Sequence, residues 1–182
     1  MFQLEIIEKC KANNRQAQMQ LYNQYCQGMY IVARRFVKHD AEAEDVVQEA
    51  FIKAFSKLDQ YQAEVTFGAW LKRIVINTSI DMLKARKHQL VELETVHLSV
   101  VDTDDDNWLV DDTVEVNDIK EAISSLAEKY RLILTLYLLE GYDHQEISGI
   151  LQITEISSRT LLYRGKLQLQ ELLKQKKDGT RY

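Results

Sequence analysis

Residues 157–166 read SSRTLLYRGK, and they follow the segment YDHQEISGIL at 142–151 and a three-residue link, QIT. Asp143 and Glu146 have the D-x-x-E spacing of a capping box, which starts a short helix. Thr154 can cap the next helix, predicted to run to about Lys174 with an inward stripe of Ser158, Leu162, Gly165, Leu169 and Leu172. Ser157, Arg159, Thr160 and Tyr163 are expected to point away from that stripe, and Arg164 and Lys166 lie one turn further on. A short capped helix, a tight link and a helix that is polar near its start make a helix-turn-helix. Its second helix can present side chains to base edges and cations to phosphates. A plain helical hairpin with a solvated face has the same spacing, so spacing alone does not separate the two.

Upstream of this pair, Ile119, Ile123 and Leu126 mark one short helix. Tyr130, Ile133, Leu134, Tyr137 and Leu138 mark another, closed by Gly141 as the residue after its end. The stretch 117–182 is thus predicted to be a small helical domain. Before it, residues 89–116 break the pattern. DTDDDNWLVDD at 102–112 is too charged to build a core, and the segment reads as a flexible acidic linker with Trp108 and Leu109 as a sticky point.

Residues 1–88 return to helical spacing. Leu21, Tyr22, Tyr25, Met29, Val32, Ala33 and Phe36 predict a helix over about 15–37. Asp40 has the place of an N-cap, and the following helix is predicted to bury Val47, Ala50, Phe51, Ala54, Phe55 and Leu58. Thr66 can cap a further helix with Phe67, Trp70, Leu71, Ile74, Val75, Thr78 and Met82 inward. The chain has no proline and only six glycines, which favours helices over sheets. The expected fold class is all-α, two small helical domains joined by the linker.

The net charge of −5 looks wrong for a DNA binder until it is resolved along the chain. Residues 91–117 hold nine acids and no base, whereas the segments before and after carry +3 and +1. Mildly basic flanks permit contact with nucleic acid. The N-terminus does not read as a signal peptide, and no apolar run is long enough to span a bilayer, so the expected location is cytoplasmic with no membrane insertion. Cys10 and Cys26 are too few for a disulfide framework or a zinc site, and neither a metal nor a cofactor is expected. The four histidines (His39, His88, His97 and His144) are scattered, and no nucleophile–base pair stands out, which argues against an enzyme and against a small-molecule substrate.

Two further faces carry information. Asp45, Gln48, Glu49 and Ile52 share the outer side of the helix at 40–58, which suits a protein partner with basic and apolar groups. A solvated helix face is the ordinary alternative. On the helix at 66–87, Arg73, Asn77, Ile80, Lys84 and Lys87 are expected to form a basic stripe flanked by Lys72 and Arg86, suited to phosphates and bases. Tyr61, in the polar loop before it, is the candidate for a free ring that stacks on an unpaired base. Phe67 and Trp70 are assigned to the core.

Three blocks together resemble the extracytoplasmic-function (ECF) group of bacterial RNA polymerase sigma factors. DAEAEDVVQEAFIKAF resembles that family's region 2.2, with its D-x-x-Q-E-x-F core at Asp45, Gln48, Glu49 and Phe51. FGAWLKRIVINTSIDMLKARK resembles regions 2.3 and 2.4, and LAEKYRLILTLYLLEGYDHQEISGIL with the last helix resembles region 4. The resemblance implies that residues 1–88 bind core RNA polymerase and open the −10 promoter element. Asp45, Gln48, Glu49 and Ile52 would be on the polymerase β′ subunit, and Tyr61, Lys72, Arg73, Asn77, Lys84 and Lys87 on DNA. It implies that residues 117–182 read the −35 element through Ser157, Arg159, Thr160, Tyr163, Arg164 and Lys166. It also implies contacts to the β subunit and control by an anti-sigma factor. The chain departs from the family at Ala127, where proline is usual, at Gln152, where glycine is usual, at Leu161, where arginine is common, and at Ile156–Ser158, where Gly-Thr-Val is usual. A stand-alone helix-turn-helix regulator is the alternative; it would need a dimer interface or sensor domain. A helical adaptor that binds only protein is a second, opposed by the basic stripe.

Overall fold

The computed structural model describes residues 2–90 and 115–179. These residues are helical, with no strand among them, and fall into two units. The first begins with a helix the sequence reading did not expect, α1 (Phe2–Lys11). Ile6, Ile7 and Cys10 are buried on one side of it, where it packs on α2 (Arg15–Phe36) and on a 3₁₀ turn at Leu58–Gln60. Asn14 caps α2 by accepting the Ala17 N–H at 3.0 Å.

Helix α3 spans Asp40–Ser56, and here one expectation is corrected. Asp40 is the first helical residue, and His39 holds the cap position without a side-chain bond. The Asp40 carboxylate turns back to α2 instead, accepting the Tyr30 hydroxyl at 2.8 Å and pairing with Arg34 Nε at 2.7 Å. A guanidinium across the corner competes with the backbone N–H groups for the same oxygens.

Helix α4 (Phe67–Leu90) is capped by Thr66, whose Oγ1 accepts the Ala69 N–H at 3.2 Å. It packs against both α2 and α3, so its buried arc is wider than a single stripe. Thr78, Ser79 and Ile80 are buried in succession. Ser79 tolerates this because its hydroxyl donates to the Val75 carbonyl at 2.8 Å. Leu21, Phe36, Leu58, Phe67 and Leu71 fill the centre.

Helix α4 continues to Leu90 and the next helix, α5, begins at Val116, so residues 89, 90 and 116 of the expected linker are helical. Its residues 91–114, with Trp108 and Leu109, lie outside the described residues.

The second unit contains α5 (Val116–Ser125), α6 (Glu128–Leu134), a π-helical turn at Thr135–Leu139, α7 (His144–Leu151) and α8 (Glu155–Gly179). Ala127 has φ −56°, the angle a proline would fix, so the missing proline changes the chain's entropy rather than its path. Gly141 has φ +76°, and the Tyr142 N–H closes the turn onto the Leu136 carbonyl at 3.0 Å. The capping box is present: the Glu146 N–H donates to Asp143 Oδ1 at 2.8 Å and the Asp143 N–H to Glu146 Oε2 at 3.1 Å. Helix α8 buries Ser158, Leu162, Gly165 and Leu169, and the last inward residue among its described side chains is Leu173, with Leu172 half-buried. From Leu169 a four-residue step stays closer to the buried stripe than a three-residue one. Lys176 ties α8 to α5 through Asp118 (2.6 Å) and Glu121 (2.8 Å), which pushes the lysine's pKa up and the Asp118 carboxyl's down.

Gln152, in the link between α7 and α8, has φ +57° and ψ 48°. A side chain in this left-handed conformation costs about 1 kcal/mol relative to glycine. Gln152→Gly is therefore expected to raise the stability of the second unit by about 1 kcal/mol. A urea melt should show a higher midpoint at unchanged slope; a lower midpoint would mean the Gln152 side chain contributes more than its backbone costs.

Candidate functional site

On α3, Asp45, Gln48, Glu49 and Ile52 all face solvent, and Ile52 is 69% exposed. The inward side of the same helix is taken by Val46, Val47, Ala50, Phe51 and Ala54. Glu49 is held by Lys53, whose Nζ lies 2.7 Å from the carboxylate and 3.4 Å from Thr78 Oγ1 on α4. The patch offers carboxylates, an amide and a bare aliphatic group on a rigid element, which is chemistry for a basic and apolar protein surface.

On α4, Arg73 and Asn77 are exposed one turn apart. Lys72 and Lys84 are half-buried and already engaged within the chain. Lys87 lies in α4, but its side chain is outside the described residues. Ile80 does not join this face: it is buried, because α4 is covered on two sides. Arg86 pairs with Glu42 of α3 at 3.3 Å.

Tyr61 is not a free ring. It is 8% exposed, with Phe67 at 5.8 Å and Trp70 at 5.3 Å between ring centroids. Its hydroxyl donates to the Val65 carbonyl at 2.7 Å. That acceptor is brought to the hydroxyl where the loop turns through Ala63 at φ +58°. The residues the loop exposes are Gln62 to Thr66, with Val65 prominent among them. Burial pushes the Tyr61 phenol above its ordinary value of 10, with a smaller push from Tyr25. The folded-state pKa is raised, so Tyr61's contribution is complete below about pH 10 and declines as the pH rises beyond it. Tyr61→Phe is expected to lower the stability of the first unit by about 1 kcal/mol at neutral pH. It should also flatten this alkaline decline in a pH series of thermal melts; an unaltered decline would remove Tyr61 as its source.

On α8, Arg159 is exposed, with Glu155 at 3.9 Å, and Tyr163 is half-buried on the same side. Thr160 departs from expectation: it is 2% exposed and cannot meet a base edge from this position. Neighbouring elements reach past the Ser158–Leu162 stripe and cover it as well. Ser157 is half-buried and its Oγ accepts the Thr154 hydroxyl at 2.9 Å. Arg164 and Lys166 are half-buried, and the Lys166 ammonium lies 5.6 Å from the centre of the Tyr137 ring. Ser158 is fully buried and its hydroxyl meets His144 Nδ1 at 2.8 Å, while the His144 ring packs on Tyr137 at 5.1 Å. This supplies the partner a buried serine needs.

Among the described residues, no three His, Cys, Asp or Glu side chains converge on a metal position, and no helix is long and apolar enough to cross a membrane.

Residues 21–89 match the family Sigma-70 region 2, and residues 117–169 match Sigma-70, region 4. The ECF RNA polymerase sigma factor SigE of Mycolicibacterium smegmatis is 30% identical over 156 residues, covering 85% of this chain and 60% of SigE. The ECF RNA polymerase sigma factor SigW of Bacillus subtilis is 28% identical over 180 residues, covering 92% of this chain and 95% of SigW. The fold also matches that of the sigma factor RpoE from Bartonella quintana, solved with the anti-sigma factor NepR. The TM-score is 0.55 at 22% identity, over 86% of this chain and 96% of RpoE. The chain belongs to the sigma-70 family of RNA polymerase sigma factors, in its ECF group.

Proposed function

We propose that this chain binds core RNA polymerase through α3, holds an opened −10 element against α4 and the loop before it, and reads the −35 element with α8. The observation that carries this reading is the pairing, on one rigid unit, of an exposed acid–amide–aliphatic patch on α3 with an exposed Arg73–Asn77 face on α4. The exposed Ile52 gives this patch an apolar contact beside its two acids. Asp45, Gln48, Glu49 and Ile52 meet the β′ subunit, and the second unit also meets β. Arg73 and Asn77 are the principal −10 contacts, with Lys72, Lys84 and Lys87 supplying charge nearby.

The loop 62–66, rather than the Tyr61 ring, faces the unpaired bases, and Tyr61 holds that loop in shape. On α8, Arg159 and Tyr163 face base edges, Ser157 lies at their margin, and Arg164 and Lys166 act through their charge on phosphates. The chain itself performs no bond-making step: polymerase makes the RNA, and this subunit supplies promoter choice and helps melting. It acts in the cytoplasm, where polymerase and DNA are. An anti-sigma factor keeps it silent by covering these same faces; the Bartonella sigma factor RpoE was itself solved in complex with an anti-sigma factor. Weakly charged units fit a subunit that needs polymerase to supply the rest of its DNA affinity.

Run-off transcription with purified core polymerase, with and without the chain, on fragmented DNA of its source organism tests the proposal. Discrete transcripts that need the chain support it. Silence together with failure to co-elute with core would discard it in favour of a stand-alone regulator.

A further inference from the structure

We propose that Ile156 is a specificity-determining residue that selects thymine within the −35 element by contact with the base's C5-methyl group. This rests on the reading that α8 enters the major groove, and it names what the leading end of that helix looks for. Ile156 is the second residue of α8 and is 59% exposed.

The first turn of α8 is fixed by Thr154. Its Oγ1 accepts the Ser157 N–H at 3.1 Å, its hydroxyl donates to Ser157 Oγ at 2.9 Å, and its carbonyl accepts the Ser158 N–H at 2.9 Å. Ser157 therefore has its hydroxyl oxygen engaged locally. Ser158 is bonded to His144, and Thr160 is buried. The side chains left exposed at the leading end are Glu155, Ile156 and Arg159, with Tyr163 one turn back. Steps of three and four residues put Ile156, Arg159 and Tyr163 on one face. Ile156 leads the face that the helix presents.

An isoleucine has neither donor nor acceptor. In the major groove the C5-methyl of thymine is the only methyl group among the four bases. Facing guanine, adenine or cytosine, Ile156 would displace water from a donor or acceptor and give nothing back, which is a penalty. Facing thymine it gains a methyl contact. Selection therefore works in both directions. The partner is duplex DNA rather than an apolar protein groove because the same helix carries Arg159, Arg164 and Lys166 in its first three turns, charge that complements phosphates.

The test uses holoenzyme assembled from core polymerase and the full chain. Promoters are first recovered by selection from templates randomised across the −35 region. Each thymine in the recovered element is then replaced singly, on either strand, by deoxyuridine, which removes the methyl and nothing else. With the unaltered chain, at least one replacement should lower complex formation about fourfold, the worth of one buried methyl. With Ile156→Ala the same replacement should have no effect, and Ile156→Val should keep part of it. The variants should fold, since the side chain is exposed.

Insensitivity of the unaltered chain to every uridine would overturn the proposal, as would an equal loss in Ile156→Ala or a selected element without thymine. If Ile156→Ala instead lost core binding, the residue would be a protein contact and the proposal would fall. If randomising the whole −35 region and Arg159→Ala both left transcription unchanged, the underlying reading of α8 would fail, a result distinct from the others.

Discussion

Replacing Gln48 and Glu49 together by alanine is expected to weaken binding to core RNA polymerase by at least about thirtyfold while leaving the fold intact. Both side chains are exposed on α3, and the core side of that helix is untouched. Truncating two central contacts of an interface typically costs about 2 kcal/mol or more, and each 1.4 kcal/mol is a factor of ten. Within the free chain the only measured loss should be the Glu49–Lys53 pair, four residues apart and solvent-exposed, worth about 0.3–0.5 kcal/mol. Alanine's helix propensity offsets part of that. Circular dichroism melts should therefore nearly superimpose, while fluorescence anisotropy against labelled core shows the loss. Unchanged affinity with an intact fold would refute the assignment of this face. A second comparison gives the result its meaning: Arg73→Ala with Asn77→Ala should retain core binding and lose open-complex formation. If both double variants lost core binding equally, α3 and α4 would not divide the two tasks.

What could be read in the sequence was whatever depends on neighbours a few residues away. Thr66, Thr154 and the Asp143–Glu146 box each make their capping bond with a partner three positions along, so spacing was enough to find them. The patch on α3 was legible for the same reason: the helix is covered on one side, and a single period separates inside from outside. The errors fall where a side chain answers to something distant. Ile80 and Thr160 lie off the apolar stripes, and only the way further helices close over them makes them buried. Tyr61 in a polar loop looked free because its acceptor, the Val65 carbonyl, depends on a left-handed Ala63 that no propensity favours.

Helix α1 was missed because FQLEIIEKCK shows too few turns to set a period, and its burial comes from α2 and the Leu58 turn. His144 and Ser158 illustrate both sides. The buried serine called for a partner, but fourteen residues of separation hid which one. The same limit explains Ile156, whose exposure became visible only once the inward face of α8 was filled.

Gly165→Leu is expected to abolish the cooperative folding of the second unit and leave the first one standing. Gly165 faces α6 from the middle of α8. A Cβ placed there would stand 3.3 Å from both Cγ and Cδ1 of Leu134 and 3.5 Å from the Tyr130 Cβ. Leu134 is fully buried, so it can give way by a few tenths of an ångström only by displacing its own neighbours. Alanine would meet this crowding with one atom and gain helix propensity worth about 1 kcal/mol, so Gly165→Ala should sit near neutral. Leucine adds three more atoms beyond the Cβ with nowhere to go, and overpacking of this kind costs about 3 kcal/mol or more. A unit of this size has little more than that to lose.

Hydrogen exchange should show protection lost from α6 and α8 and retained in α2 and α4, whose core of Leu21, Phe36 and Phe67 is separate. Core polymerase should still bind through α3, with the −35 preference gone. Native protection across α8 in Gly165→Leu would mean that α6 and α8 are not held as closely as the Leu134 contact requires. Loss of protection in α2 and α4 as well would mean that the two units do not fold independently.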